Sequence, residues 1–254
     1  MRSVKGLPPI LFEDDSLIAF DKPSGLLVAQ DRWDKSKDNL TDALHERLSP
    51  DCALAHRLDR ETSGVIVCAK TRGVLAPLCR LFESHSVVQE YTALVRGGPA
   101  EERGTVKLAL VEDPLHHGMM LASEKGKPAE TEFVVVRRWR GFARLTLHPL
   151  TNRTHQLRVH MASLGAPILA DSLYGANRTL FLSHIKPDYK FKKNIPERPL
   201  MRRLALHAGR LRFVHPVTGE ALEIVAPLPH EFEVSLKYLD RFASPLSSPA
   251  PQEA

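Results

Sequence analysis

The chain reads His56-Arg57-Leu58-Asp59-Arg60-Glu61-Thr62-Ser63-Gly64 directly before the apolar run Val65-Ile66-Val67-Cys68-Ala69. The first segment is a polar turn that places one carboxylate, Asp59, between the guanidinium groups of Arg57 and Arg60. Nearby cations favour the ionised form of a carboxyl group, and a position at the entrance of a strand can expose it to a cleft. Asp59 is therefore a candidate catalytic carboxylate. The alternative is a surface turn whose Asp and Thr side chains bond their own backbone.

Three further segments carry unusual combinations of polar and aromatic residues. They are Thr151-Asn152-Arg153-Thr154-His155-Gln156-Leu157-Arg158-Val159-His160 with Tyr174-Gly175 beyond it, Glu90-Tyr91-Thr92-Ala93-Leu94-Val95, and Asp21-Lys22-Pro23-Ser24-Gly25-Leu26-Leu27-Val28. In order and approximate spacing, these segments and the Asp59 turn resemble the RluA-type family of RNA pseudouridine synthases. The resemblance spans roughly residues 10 to 230, nearly the whole chain.

Composition places the chain among ordinary globular proteins, with 43% hydrophobic and 26% charged residues in a length of 254. The three cysteines form no CxxC pair, which argues against a disulfide framework and a cysteine zinc site and favours a reducing compartment. No run approaches the roughly 18 apolar residues of a membrane-spanning helix, and residues 1–9 lack the apolar core of a signal peptide. We therefore expect a cytoplasmic protein with no membrane partner.

The positive charge is concentrated in one part of the chain. The net charge is +5, but residues 153–212 hold twelve Lys and Arg against three acids, a net of +9 that leaves −4 for the remainder. Such asymmetry suits a polyanion that meets one face of the protein. The alternative is a solvated basic surface.

Periodicity and turn residues predict the secondary structure. Strands are predicted at 10–12, 16–20, 65–69, 91–95, 104–111, 131–136, 142–147, 204–214 and 222–226. Helices are predicted at 39–48, with Asn39 as N-cap, at 151–164, with a cap among Thr151, Asn152 and Thr154, and within 71–85. Pro77 conflicts with the last pattern, so that helix begins later than Thr71 or is kinked.

The predicted fold class is α+β. We expect residues 10–243 to form one catalytic domain after a short extension at 1–9, and residues 244–254 to form a disordered tail. No basic helical module precedes the first strand, so an N-terminal RNA-binding domain of the S4 type is not expected. The resemblance implies the pseudouridine synthase fold, in which a mixed, largely antiparallel central sheet is flanked by helices around a cleft.

The resemblance implies an isomerase that converts uridine in ribosomal or transfer RNA to pseudouridine, with no cofactor or metal. Asp59 aligns with the family's catalytic aspartate, as nucleophile at C1′ or as base at C2′. Arg158 aligns with the basic residue that pairs with this aspartate, and Tyr91 with the active-site tyrosine. The alternatives are a helix-surface arginine for Arg158 and a packed strand aromatic for Tyr91.

Five other residues are candidate RNA contacts. Arg57 matches an arginine that enters the space left by a flipped-out base, and its alternative is a salt bridge to Glu61 or another nearby acid. Leu206 resembles the apolar position that lines the base pocket, or it is a core strand residue. Arg153, Thr154 and His155, at the predicted start of a helix, are candidate phosphate contacts.

Two competing functions follow from the same residues. A catalytically silent RNA-binding protein or chaperone needs only basic charge, so the joint presence of Asp59, Tyr91 and Arg158 argues against it. A metal-dependent phosphoesterase needs ligand spacing, and His155 and His160, five residues apart, do not share a helix face. We expect a monomer that acts on RNA. The sequence does not identify the target uridine.

Overall fold

A computed structural model describes residues 6–30, 37–175 and 179–243. The predicted tail at 244–254 lies outside these residues. The chain divides into two compact units. Unit 1 consists of Met1–Tyr91 with Leu206–Pro227, and unit 2 of Thr92–Ala205 with Leu228–Ala254. Unit 1 is therefore built from two separate pieces of the chain.

The described residues form twelve strands and four α-helices. The strands are β1 (Ile10–Glu13), β2 (Leu17–Lys22), β3 (Ala53–Leu54), β4 (Ser63–Ala69), β5 (Val88–Arg96), β6 (Arg103–Lys107), β7 (Leu110–Glu112), β8 (Met120–Ala122), β9 (Glu130–Trp139), β10 (Phe142–Pro149), β11 (Leu206–Val214) and β12 (Ala221–Val225). The helices are α1 (Leu40–Arg47), α2 (Arg72–Glu83), α3 (Gln156–Ser163) and α4 (His230–Phe242). Ten strands belong to a mixed sheet, and β7 and β8 form a separate hairpin. This confirms the predicted α+β class.

Unit 1 has the strand order β1-β2-β4-β11, with β12 beside β11 and β3 beside β4. The β4–β11 pair is parallel and the other pairs are antiparallel. All seven residues of β4 are buried, as expected for a central strand covered on both faces. Its side chains pack with those of α2, including Leu78 and Phe82, in one hydrophobic core.

The two helices of unit 1 follow the sequence signals closely. Asn39 caps α1 through a hydrogen bond from the Asp42 N–H to its side chain, 3.0 Å long, as predicted. Helix α2 begins at Arg72, after Thr71, and continues through Pro77. A single proline therefore does not end this helix, whose apolar face is held against β4 by burial of Leu78 and Phe82.

In unit 2, β9 and β10 form a long antiparallel hairpin, and β6 pairs with the other edge of β9. The predicted strand at 104–111 is in fact two strands, β6 and β7, separated by Leu108 and Ala109. Helix α4 was not predicted. It buries Phe232, Ser235 and Leu239, which are spaced three and four residues apart, as on one face of a helix. The helix follows Pro229 and begins with polar residues, so its start lacks a clear sequence signal.

Helix α3 begins at Gln156 and not at 151, so the prediction of its N-terminus was wrong. None of the predicted caps is used. The N-cap residue is His155, whose φ of 53° lies in the left-handed region, and its side chain makes no capping bond. Arg153 and Thr154 consequently lie in the turn before the helix. Among the helices that the structure describes, none is long and apolar enough to cross a membrane.

Candidate active site

The Asp59 turn (residues 56–64) is tied to the loop that follows β2. The Gly25 N–H donates to the Arg60 carbonyl at 2.8 Å, and Arg60 Nε returns a bond to the Gly25 carbonyl at 3.0 Å. The Ser24 hydroxyl donates to the Glu61 carbonyl at 2.7 Å. Each bond satisfies a backbone group that a turn would otherwise leave to water. Together they fix the backbone on the C-terminal side of Asp59.

Lys22 completes this arrangement from inside the protein. Its side chain is fully buried, and Nζ donates to the carbonyls of Pro23, Leu26 and Arg60 at 3.1, 2.9 and 3.0 Å. A buried ammonium is tolerated only when its donors are satisfied, so these carbonyls are held at fixed positions. From the sequence, Lys22 was noted only as part of the segment 21–28, and its contacts with the backbone carbonyls were not predicted.

The parallel β4–β11 pair sets the other end of the turn. Ser63 lies opposite His207, and the Ser63 hydroxyl lies 2.9 Å from His207 Nδ1. Gly64 lies opposite Ala208 with a φ of 116°. A Cβ at Gly64 would lie 2.6 Å from the Ala208 carbonyl carbon and closer still to its oxygen. Only glycine permits this approach, which fixes where the turn enters β4.

Asp59 and Tyr91 belong to the same unit and are electrostatically linked. Tyr91 is 7% exposed, and Asp59 is half-buried. Burial raises the pKa of the Tyr91 phenol, and the charge of Asp59 raises this pKa further. The Tyr91 hydroxyl donates to Gln89 Oε1 at 3.4 Å. Tyr91 is therefore a neutral phenol at pH 7, within electrostatic range of the carboxylate.

The two predicted base contacts of unit 1 have opposite environments. Arg57 is exposed. Among the described residues no carboxylate lies within ion-pair distance of it, so the alternative salt bridge to Glu61 is not formed. Leu206 is 2% exposed at the start of β11. That burial fits a pocket wall and a core residue equally well, and its role stays a prediction.

His56, at the start of the turn, is part of the core. Its Nε2 accepts the Val67 N–H at 3.1 Å, and its ring stacks on Phe82 with centroids 4.5 Å apart. Burial lowers its pKa to about 3. A neutral imidazole in this position stabilises the start of the turn. No group of three or more potential metal ligands occurs among the described residues.

In unit 2, Gln156 organises the turn that precedes α3. Its Oε1 accepts the Thr151 hydroxyl at 2.8 Å and the Arg153 N–H at 3.1 Å. Its Nε2 donates to the Glu130 carbonyl at 2.9 Å and the Thr131 hydroxyl at 3.0 Å. All four bonding positions of the amide are used. This side chain replaces the caps that the sequence predicted.

Arg158 is 2% exposed, so it is not a helix-surface arginine. Its Nε and Nη2 donate to the two carboxylate oxygens of Asp171 at 2.8 and 2.7 Å. Burial alone would raise the pKa of Asp171, but the Arg158 bonds and charge and the N–H groups of Leu173 and Tyr174 lower it below its usual value. Sequence analysis missed Asp171, thirteen residues from Arg158.

His155 is held by Tyr174. The Tyr174 hydroxyl accepts the Met120 N–H at 2.7 Å and lies within hydrogen-bond distance of His155 Nδ1, at 2.8 Å. The Arg158 guanidinium lies over the Tyr174 ring, 5.1 Å from its centroid. Tyr174 thus orients both side chains.

The predicted residues divide between the two units. Unit 1 contains Arg57, Asp59, Tyr91 and Leu206, and unit 2 contains Arg153, Thr154, His155 and Arg158. Arg153 and Thr154 are half-buried, and Arg153 Nε donates to the Pro128 carbonyl at 3.1 Å. The roles of these eight residues stay predictions. The positioning contacts of Lys22, Gln156 and Asp171 were found only in the structure.

Comparison with known proteins identifies the family. Residues 16–163 match the family model described as RNA pseudouridylate synthase. The dual-specificity RNA pseudouridine synthase RluA of Escherichia coli (strain K12) is 38% identical over 221 residues, which cover 86% of this chain and 92% of the relative. Ribosomal large subunit pseudouridine synthase C of Pasteurella multocida is 38% identical over 88% of this chain and 65% of its own length.

A solved structure agrees in fold. Human RNA pseudouridylate synthase domain containing 1 superposes with a TM-score of 0.69 at 27% identity, covering 99% of this chain and 94% of the human one. The residues matched by the family model include the Asp59 turn and α3, and the Escherichia coli relative aligns with 86% of the chain. The chain belongs to the RluA-type family of RNA pseudouridine synthases.

Proposed function

We propose that this synthase isomerises specific uridines in ribosomal RNA, transfer RNA or both, with Asp59 as its catalytic carboxylate. The reaction breaks the C1′–N1 bond, turns the base and joins C5 to C1′. A proton leaves C5 and N1 gains one, so no oxidant, energy source or cofactor is required. Asp59 acts either as nucleophile at C1′ or as base at C2′. The observation that carries this proposal is the half-buried carboxylate in a turn whose backbone is fixed by hydrogen bonds at Arg60 and Glu61.

Arg158 is proposed to pair with the Asp59 carboxylate. A guanidinium has five N–H donors, and the bond to Asp171 uses one on Nε and one on Nη2. Because Asp171 fixes the plane of the guanidinium, the other N–H groups have defined directions, which suits a partner whose orientation decides the reaction.

Tyr91 is proposed to stack on the target base and to assist removal of the C5 proton. Its raised pKa means that it acts as a neutral phenol and not as a phenolate. A neutral phenol accepts the C5 proton only if its own proton passes on. The Asp59 carboxylate lies within electrostatic range of the phenol, and it could take that proton once the hydroxyl turns away from Gln89 Oε1.

The substrate assignment rests on charge and on relatives. The basic segment 153–212 suits RNA phosphates, and the exposed Arg57 is available to fill the space of a flipped-out base. The bacterial relatives are named for dual-specificity RNA and large-subunit ribosomal activity. We propose a cytoplasmic location, in keeping with the three free cysteines, and a monomeric enzyme.

Asp59→Asn tests the proposal, because it removes the charge while keeping size and shape. The assay is tritium release from RNA labelled at C5 of uridine. We expect turnover to fall below detection, with RNA affinity and thermal stability near those of the wild type. Asp51→Asn, in an exposed position of the same unit, is the matched control and should retain full activity. Near-normal turnover by Asp59→Asn would refute the assignment.

A catalytically silent RNA-binding protein is the alternative. It predicts RNA binding by the wild type with no tritium release from any cellular RNA. Total RNA from cells that lack this gene is the appropriate substrate, since it contains every unmodified target. Carbodiimide mapping of that RNA before and after treatment with the enzyme would identify the uridine.

A further inference from the structure

Residues 180–201 form a long loop of unit 2, here called the basic loop. It is closed by an antiparallel bridge between Leu180 and Met201, in which the Leu180 N–H donates to the Met201 carbonyl at 3.1 Å. Both side chains are almost fully buried, and Ile185 is 7% exposed. Only a short 3-10 helix, Leu182–His184, interrupts it. Loops of this length with little secondary structure of their own are uncommon in compact domains and are usually functional.

The tip of the basic loop combines exposed cations with exposed apolar side chains. Residues 186–196 contain four lysines and one acid, Asp188, a net charge of +3. Lys190, Lys192 and Lys193 are exposed, and none of them lies within ion-pair distance of a carboxylate among the described residues. Phe191 is 72% exposed. The exposed Phe191 ring therefore stands between three unpaired lysines in the sequence.

The aromatic side chain has a defined orientation. The rings of Tyr189 and Phe191 meet edge to face, with centroids 5.0 Å apart and an interplanar angle of 84°. Such a contact restrains Phe191 while most of its surface stays accessible. Lysines interleaved with a presented aromatic are the combination that binds single-stranded nucleic acid, through phosphate contacts and base stacking.

We propose that the basic loop is an additional RNA-binding surface of this synthase, which holds a single-stranded part of the substrate RNA. Lys190, Lys192 and Lys193 contact phosphates, and one base stacks on Phe191. The inference rests on the proposed function only for the identity of the RNA. A membrane is a poorer match, because surface binding to lipid typically uses an amphipathic helix and the tip has no helix among its described residues.

The test compares two variants with matched controls. The charge variant is Lys190→Ala/Lys192→Ala/Lys193→Ala, and its control removes three exposed cations elsewhere in unit 2, Arg103→Ala/Arg140→Ala/Lys237→Ala. The stacking variant is Phe191→Ala, and its control is Leu115→Ala at another exposed apolar position. Binding of a fluorescein-labelled oligouridylate is measured by anisotropy at several salt concentrations.

The charge variant should bind more weakly and with a weaker salt dependence. For a single strand, each phosphate contact contributes about −0.7 to the slope of log K against log salt. Loss of three contacts should therefore make this slope less steep by up to about 2. Phe191→Ala should weaken binding about fivefold or more with an unchanged slope, as expected for loss of one stacked base. Both controls should bind nearly as the wild type does.

Equal slopes for the charge variant and its control would overturn the proposal, as would unchanged binding by Phe191→Ala. Tighter binding of poly-glutamate than of oligouridylate, lost in the same variants, would instead identify a protein-binding surface. Tritium release from total RNA separates this inference from the proposed function. The loop variants should raise KM and leave kcat unchanged, whereas failure of the proposed function would appear as an inactive wild type that still binds oligouridylate.

Discussion

Gly64→Ala should be among the most damaging single-methyl changes in unit 1. The new Cβ would lie 2.6 Å from the carbonyl carbon and 2.8 Å from the nitrogen of Ala208. These are backbone atoms of a paired strand, so no side-chain rotation relieves the collision. The φ of 116° adds a backbone conformation that alanine rarely adopts.

The magnitude follows from two separate costs. Holding a residue other than glycine in a sparsely populated backbone region costs about 1–3 kcal/mol, and forcing an extra carbon into a packed site costs about 1–3 kcal/mol. We therefore expect a loss of about 4 kcal/mol in the free energy of unfolding. Small domains have only about 5–15 kcal/mol in total. Separation of β4 from β11 would also displace the Asp59 turn, and a shift of about 1 Å can cost about a hundredfold in rate.

Gly219→Ala is the matched control, because it carries the backbone cost without the collision. Gly219 also belongs to unit 1, with a φ of 75°, but nothing lies within 4 Å of its added Cβ. That variant should lose only about 1–2 kcal/mol and keep its activity. Urea unfolding and tritium release measure both quantities. Equal unfolding midpoints for the two variants would show that β4 and β11 do not approach as closely as described.

Three further substitutions address the site and the core. Tyr91→Phe should keep RNA affinity but slow single-turnover formation of pseudouridine, and a normal rate would limit Tyr91 to stacking. Asp171→Asn removes the charge of the carboxylate that accepts two bonds from the buried Arg158 guanidinium, so urea unfolding should show a loss of about 3–5 kcal/mol, and wild-type stability would contradict the buried pair. Burial lowers the pKa of His56 to about 3 in the folded protein, whereas the unfolded chain has a histidine pKa of about 6.5. Between pH 7 and 5 only the unfolded chain therefore binds a proton at His56, and the free energy of unfolding decreases as the pH falls. The loss attributable to His56 should be about 2 kcal/mol, measured as the difference from His56→Gln, and parallel pH profiles of the two proteins would argue against a neutral buried imidazole.

Sequence patterns predicted those parts of the fold that depend on local signals. Asn39 at the start of α1 and the apolar spacing of α2 are examples, since each acts through neighbours three or four residues away. The start of α3 was misplaced because Gln156, and not a capping hydroxyl, satisfies the preceding turn. That bonding depends on β9, which no local pattern connects to residue 156.

The candidate site was predictable in its motif residues and not in their supports. Asp59, Tyr91 and Arg158 were selected by resemblance, whereas the bond between Arg158 and Asp171 has no sequence signature. Lys22 is similar, because its acceptors are backbone carbonyls that any residue could supply. A side chain that bonds to backbone carbonyls does not require a particular residue type at the accepting position, so the sequence does not reveal such a contact.

The division of unit 1 into two pieces affects how the protein is made. Ser63 and Gly64 pair with His207 and Ala208, and Thr92–Ala205 separates the two pieces of the unit. A ribosome adds about 5–20 residues per second, so roughly 6–23 seconds pass before β11 is available. Until then β4 lacks its parallel neighbour, so the hydrogen-bonding edge that β11 later covers stays exposed. The contacts of Ser63 and Gly64 with His207 and Ala208 therefore form only after most of the chain has been synthesised.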